Sequence, residues 1–170
     1  MIKRICILLF CTFFCTSSLW SQKSKVDSLK VILEKYESDN EFNTNKLADS
    51  TRANLLIKIG SAYGFHQPSE AVSYVKKALE ISKKIGHKRG IANAKFQIGR
   101  IQSDNKQTNK SIQTTYEAIA LYRELGDSLK IADCYNNIGV IYATTGNYVW
   151  AVAELFKAIK SFQGRKRRFG

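Results

Sequence analysis

Proline is almost absent from this chain: one residue in 170, Pro68. A proline inside a helix removes a hydrogen bond and clashes with the preceding turn, so its scarcity leaves room for long helices. Alternating runs of β-branched residues are missing as well, which removes the usual signature of strands. Histidine occurs twice, at His66 and His87, with no carboxylate or cysteine companion at ligand spacing. A metal centre therefore has no donor set. No glycine-rich phosphate loop appears, and no nucleophile has a paired base. Neither a cofactor nor catalysis has residues to rest on, and the chain reads as a non-enzyme. A hydrolase on a helical scaffold would need a clustered acid–base pair, which is not there.

The first stretch has a separate logic. Lys3 and Arg4 precede an apolar run from Ile5 to Cys15, and Thr16 to Gln22 is mostly small and polar. That order matches a secretory signal peptide, read here as residues 1–21 with cleavage after Ser21, the alternative being an uncleaved anchor or a buried helix. The run is too short for a membrane span, which needs ~20 apolar residues. Export is expected, to a periplasmic or extracellular setting, with no membrane span after cleavage. Cys6, Cys11 and Cys15 leave with the signal, so the mature chain keeps Cys134 alone and forms no internal disulfide. Cys134 sits in an apolar helical pattern and reads as a small buried residue. Of the net charge of +13, Lys3 and Arg4 contribute two and Arg165, Lys166, Arg167 and Arg168 four, leaving +7 for residues 22–164. A balance of that size favours acidic partners or anionic surfaces. For an exported chain, nucleic acid is not an expected partner.

What is present is a period. Ile59-Gly60, Ile98-Gly99 and Ile138-Gly139 recur at intervals of 39 and 40 residues. Ala78-Leu79, Ala118-Ile119 and Ala158-Ile159 recur at 40 and 40, and Ile85-Gly86 and Leu125-Gly126 keep the same spacing. Each unit reads as two helices. In the third, Asp127 is placed to cap a helix start. Leu129, Ile131, Ala132, Tyr135, Ile138 and Tyr142 follow at helical spacing. Thr145-Gly146-Asn147 makes a turn. A second helix carries Tyr148, Ala151, Val152, Leu155, Ala158 and Ile159. Gly126 stops the helix before it, in the left-handed conformation that suits glycine. Gly139 and Ala151 are expected to be small because two helices approach there, and Ala158 because a following helix packs over it. A helix pair of this kind buries its apolar stripe only against stacked neighbours.

Tyr135, Ile138, Gly139, Tyr142, Gly146, Tyr148, Ala151, Leu155 and Ala158 fall at the signature spacing of one known repeat. The third unit resembles the tetratricopeptide repeat. The second keeps Ile98, Gly99 and Ala118 but has Gln102 for the tyrosine and Ser111 for the alanine. The first has Leu56, Ile59, Gly60, Tyr63, Ala71 and Ala78, with a turn around His66-Gln67-Pro68. The period is longer than the 34 residues usual for the repeat. The long form resembles the exported sensory regions of bacterial signalling proteins. The resemblance implies an all-α, right-handed α-α solenoid of three helix pairs plus an N-terminal helix. Residues 22–53 form a leading amphipathic helix, with Val26, Leu29, Leu33 and Tyr36 on its apolar face, and a loop over residues 38–45. Residues 54–162 hold the repeats (54–92, 93–132 and 133–162), and 163–170 are a basic tail that abandons the helical pattern.

The resemblance also implies a function. Ligand peptides of this family lie in the concave groove lined by the first helix of each pair. Carried over position by position, the groove is Asn54, Ile57 and Ser61 in the first unit, Asn93, Phe96 and Arg100 in the second, and Asn136 and Val140 in the third. Gly64, Ser103, Asp133 and Ala143 complete the same rows. Asparagine offers a peptide backbone both a donor and an acceptor, and Arg100 has the geometry to hold a carboxylate with two hydrogen bonds. The expected function is a scaffold that binds a peptide or protein segment, with no cofactor. The alternative is the truncated sensory region of a membrane histidine kinase or transcriptional regulator, in which case the basic tail marks a truncation or frameshift. Self-association through an uncapped last repeat is a further expectation. Lys76, Lys77, Lys83, Lys84, Lys88 and Arg89 form a basic cluster, read as a solvated face.

Overall fold

Helices follow one another with short joints throughout the computed structural model, which describes residues 23–39, 46–64 and 66–169. The signal segment 1–21 and most of the expected loop, residues 40–45, lie outside the described residues. The helices are α1 (23–39), α2 (Lys46–Tyr63), α3 (Pro68–Lys84), α4 (Lys88–Asp104), α5 (Thr108–Glu124), α6 (Ser128–Thr144) and α7 (Tyr148–Phe169). Strands are absent among the described residues. The pairs α2–α3, α4–α5 and α6–α7 are the three repeats, and α1 precedes them. Positions 54, 93 and 133, where the sequence pattern begins its units, lie inside α2, α4 and α6.

The joints explain the regularity. α3, α4, α5 and α6 each end with a residue at positive φ: Gly86 (65°), Lys106 (59°), Gly126 (65°) and Gly146 (79°), twenty residues apart. Each is followed by the same pair of turn bonds. In the first, Gly86 N–H donates to the Lys83 carbonyl at 3.1 Å and His87 N–H to the Ser82 carbonyl at 2.8 Å. This six-to-one and five-to-two pattern satisfies carbonyls that a helix end leaves open. The next helix starts at once. Pro68 occupies the first turn of α3, where its missing N–H costs nothing. Asp127 caps α6, accepting from the Lys130 N–H at 3.2 Å.

Two apolar clusters run through the stack. Leu33 of α1 joins Ala53, Leu56, Ile57 and Ile59 of α2 and Ala71, Val75 and Ala78 of α3. The leading helix therefore packs on the first repeat, as its apolar face implies. Tyr36 reinforces the contact by donating to the Ala48 carbonyl at 2.9 Å, and Glu37 holds Arg52 at 2.7 Å. The second cluster joins Ala118, Ile119 and Tyr122 of α5 to Ala132, Cys134, Tyr135 and Ile138 of α6. Small residues sit where paired helices touch. A methyl group added at Gly139 would lie 3.0 Å from Leu155 Cγ and 3.3 Å from the Ala151 carbonyl oxygen.

Two details differ from the sequence expectation. Ala158 is buried, yet no helix follows α7 among the described residues; it belongs to the cluster built around Tyr135 and Ile138 of α6. Its small size serves the α6–α7 contact. The basic tail does not abandon the helical pattern either, since α7 runs on to Phe169. Arginine and lysine are good helix formers, and Gly164 costs a continuing helix only ~1 kcal/mol.

Candidate functional site

The first helices of the three pairs form one side of the stack. α2 meets α4 and α4 meets α6, whereas the backbones of α3 and α5 do not approach each other among the described residues. The first helices thus lie next to one another while the second helices are separated. A continuous surface of α2, α4 and α6 results, which is what a groove requires.

The eight expected groove residues divide on this surface. Asn54, Ser61, Arg100, Asn136 and Val140 are exposed. Among the described residues, the one hydrogen-bond contact of the exposed Arg100 is long, 3.5 Å from Nη1 to Gln97 Oε1. Ile57 is a correction: at 8% exposure it belongs to the first core cluster, which draws on α1, α2, α3 and α4. Asn93 is half-buried, and its Oδ1 accepts from the Tyr122 hydroxyl at 2.7 Å. That bond ties α4 to α5 and makes Asn93 a structural residue. Phe96 is half-buried against the second cluster. Of the flanking positions, Asp133 is engaged by Lys130 at 2.9 Å.

Some polar groups escaped the sequence reading. Gln102 Oε1 of α4 and Asn137 Nδ2 of α6 are buried without a hydrogen-bond partner among the described residues. Gln102 stands where the repeat consensus has tyrosine, so the substitution was visible but its consequence was not. Glu154 of α7 is buried as well. It accepts from the Tyr116 hydroxyl at 2.9 Å and from Lys157 Nζ at 2.7 Å, while its second oxygen has no partner among the described residues. Lys157 Nζ also lies 5.6 Å from the centre of the Tyr135 ring, and Arg123 donates to the Tyr135 hydroxyl. Burial, reinforced by the Glu154 bond, pushes the Tyr116 hydroxyl above its ordinary range. This network stitches α5, α6 and α7 together.

Most other candidates dissolve on inspection of their surroundings. Cys134 is fully buried, and burial pushes its thiol up to about 12. A thiol so protonated is no nucleophile. The basic cluster is partly neutralised, because Lys88 pairs with Glu124 at 2.9 Å and Arg89 pairs with Asp127. Among the described residues no three His, Cys, Asp or Glu side chains group to hold a metal ion. No described helix is long and apolar enough to cross a membrane. A cleft of about 550 Å³ between α1, α2 and α3 is lined by Lys30, Glu34, Glu37, Arg52, Tyr74 and Lys77, and two of its charges, Arg52 and Glu37, pair at 2.7 Å.

The paired helices, the repeating left-handed stops and the adjacent first helices define a tetratricopeptide-like helical-repeat protein. The model of the soluble NSF attachment protein (SNAP) family matches residues 33–166, and the chain belongs to that family. A Tonsoku-like protein of Danio rerio is 24% identical over 108 residues, which is 63% of this chain and 8% of that protein. Two solved structures share the fold. BtubC from P. vanneervenii matches with a TM-score of 0.68 at 13% identity, over 84% of this chain and 57% of that one. A Rap protein complexed with competence and sporulation factor matches with a TM-score of 0.68 at 22% identity, over 86% of this chain and 40% of that one. The chain therefore spans only part of the length of each relative.

Proposed function

We propose that this protein is an interaction scaffold that holds an extended peptide or protein segment along the face of α2, α4 and α6. The observation that carries the reading is the row of exposed polar side chains, Asn54, Ser61, Arg100 and Asn136, spread over three adjacent helices with no catalytic group among them. Asn136 offers both a donor and an acceptor to a peptide backbone. Arg100 supplies the one strong point for an acidic side chain or carboxylate. Val140, 51% exposed, provides apolar contact beside it. The coarser part of the reading agrees with the relatives. The family is named for attachment to NSF, and the Rap structure is one of a complex. An exported setting goes with it, on the basic, apolar and small-polar order of residues 1–22.

The test is peptide selection on the wild-type chain from a random library, followed by affinity measurement on Arg100→Ala and Asn136→Ala. Both residues are exposed, so thermal stability should hold. Selected peptides should bind each variant at least about fivefold more weakly, the ~1 kcal/mol of one lost hydrogen bond. Unchanged affinity in both variants would remove the groove from consideration.

A further inference from the structure

Once Arg52 has paired with Glu37, the cleft between α1, α2 and α3 keeps two charges on each outer wall: Lys30 and Glu34 on α1, Lys77 and Glu80 on α3. Lys30 and Glu34 are four residues apart and Lys77 and Glu80 three, spacings at which neighbours on a helix pair. Neither pair forms, and no other ion pair engages these side chains among the described residues. Lys30 Nζ lies instead 5.4 Å from the centre of the Tyr63 ring, and Lys77 Nζ 5.8 Å from that of Tyr74. At such distances an aromatic face attracts a cation. The two rings stack with centres 5.6 Å apart, so both lysines are drawn toward the same end of the cleft. The walls also run the same way. α1 sets Lys30 against Tyr63 at the end of α2 and Glu37 against Arg52 near its start, while α3 lays its early Tyr74 on the same Tyr63. Both walls therefore carry lysine toward the Tyr63 end and glutamate toward the Arg52 end. Buried Leu33 and Leu56 and half-buried Ile81 supply the apolar lining.

We propose that this cleft binds a dipeptide with free ends and apolar side chains. Its lining is neutral in sum, with Lys30 and Lys77 against Glu34 and Glu80 beside the Arg52–Glu37 pair. Such a lining draws neither anions nor cations by net charge. It is polarised along its length, which is complementary to a neutral ligand whose own charges are separated. Spacing selects among such ligands. On each wall lysine and glutamate stand about one helical turn apart, ~5.4 Å. One extended residue spans only ~3.3–3.6 Å and two span up to ~7 Å, so a dipeptide reaches both ends and a single amino acid falls short. The ligand's carboxylate meets Lys30 and Lys77, its ammonium meets Glu34 and Glu80, and its side chains rest on Leu33, Leu56 and Ile81. The cleft's volume lies within the ~300–1,000 Å³ of small-molecule sites. Glu34, Lys77 and Glu80 are exposed, so the ligand meets them without unfolding the wall. None of the exposed groove residues of α2, α4 and α6 lines the cleft, so the two sites are tested separately.

The probe is leucyl-leucine, titrated calorimetrically into the full chain beside three controls: N-acetyl-leucyl-leucine, leucyl-leucine amide and glycyl-glycine. The free dipeptide should bind at least tenfold tighter than each control, because the first lacks the ammonium, the second the carboxylate and the third the apolar side chains. Glu34→Gln with Glu80→Gln should weaken leucyl-leucine at least tenfold and erase its advantage over the acetylated form, while keeping its advantage over the amide. Lys30→Met with Lys77→Met should do the reverse. Should that double variant fold poorly, Lys77→Met alone, at an exposed position, should still narrow the gap between free and amidated dipeptide. Arg100→Ala should bind leucyl-leucine as the wild type does. No binding of leucyl-leucine at millimolar concentration, equal affinity for the free and blocked forms, or indifference to the cleft variants would overturn the proposal. So would loss of binding in Arg100→Ala, which would move the ligand to the groove.

Discussion

Gly60, Gly99 and Gly139 occupy equivalent places in the three repeats, yet alanine is expected to cost a different amount at each. In every case the replacement gains helix propensity of up to ~1 kcal/mol. What opposes it is the paired helix. A methyl at Gly60 would lie 2.5 Å from Val75 Cγ2 and 2.8 Å from the Ala71 carbonyl oxygen. Val75 is fully buried and stiff at χ1, and the carbonyl is α3 backbone, so the two helices must spread. Overpacking of that kind costs roughly 1–3 kcal/mol. At Gly99 the obstacle is Thr115 Oγ1 at 2.5 Å, a side chain, but a buried one whose hydroxyl donates to the Ser111 carbonyl at 2.8 Å. Turning it away sacrifices a hydrogen bond worth ~1 kcal/mol. At Gly139 the neighbour is Leu155 at 3.0 Å, which is 37% exposed and free to swing. Gly60→Ala should therefore destabilise by about 1–2 kcal/mol net, Gly99→Ala by about 1, and Gly139→Ala by nothing beyond ~0.5 in either direction. Thermal unfolding followed by circular dichroism reads this directly, at ~2–4 °C per kcal/mol for a chain of this size. Three equal shifts, or Gly139→Ala as the worst, would refute the reasoning.

Three further outcomes follow from the same contacts. Tyr122→Phe should cost about 1 kcal/mol in urea unfolding, because it strips Asn93 Oδ1 of its buried donor; a neutral result would return Asn93 to the groove. Asp127→Ala should cost about 0.5–2 kcal/mol as a lost cap. Asp127→Asn keeps the cap and loses only the carboxylate charge that faces Arg89 and Lys130. Burial works to raise the Asp127 pKa, but the Arg89 and Lys130 bonds outweigh it and hold the carboxyl below the ordinary value of 3.8. The stability gap between wild type and Asp127→Asn should thus be full above that value and close as pH falls below it; a gap unchanged down to pH 2 would contradict the pairing. Lys106→Gly should stabilise, since a left-handed side-chain residue costs ~1–2 kcal/mol and glycine gives back only ~0.4–1 kcal/mol through the unfolded chain. A fall in melting temperature would show that Lys106 makes a compensating contact.

Much of this architecture is written in local chemistry. Scarce proline, apolar residues three and four apart, and glycines 40 apart at Gly86 and Gly126 specify helix, stop and helix, because each rests on backbone sterics that act within a few residues. The small residues at Gly139 and Ala151 were legible for the same reason: a repeated pattern betrays the contact it serves. Tertiary packing decided the rest. Lys106 takes a glycine's conformation because its neighbours on both sides are already held in helices. The groove narrowed from eight residues to five open ones because the first core cluster takes up Ile57, Tyr122 claims Asn93, and the second cluster takes up Phe96; most of these partners are distant in sequence. Ala158 points to α6 and not onward, and the tail prolongs α7, since a helix with no breaker continues once its first turns are packed. By itself the sequence determined a three-pair helical repeat with a leading helix. Only the folded stack decided which polar residues are exposed, because exposure depends on what lies across a helix and not on the residues along it.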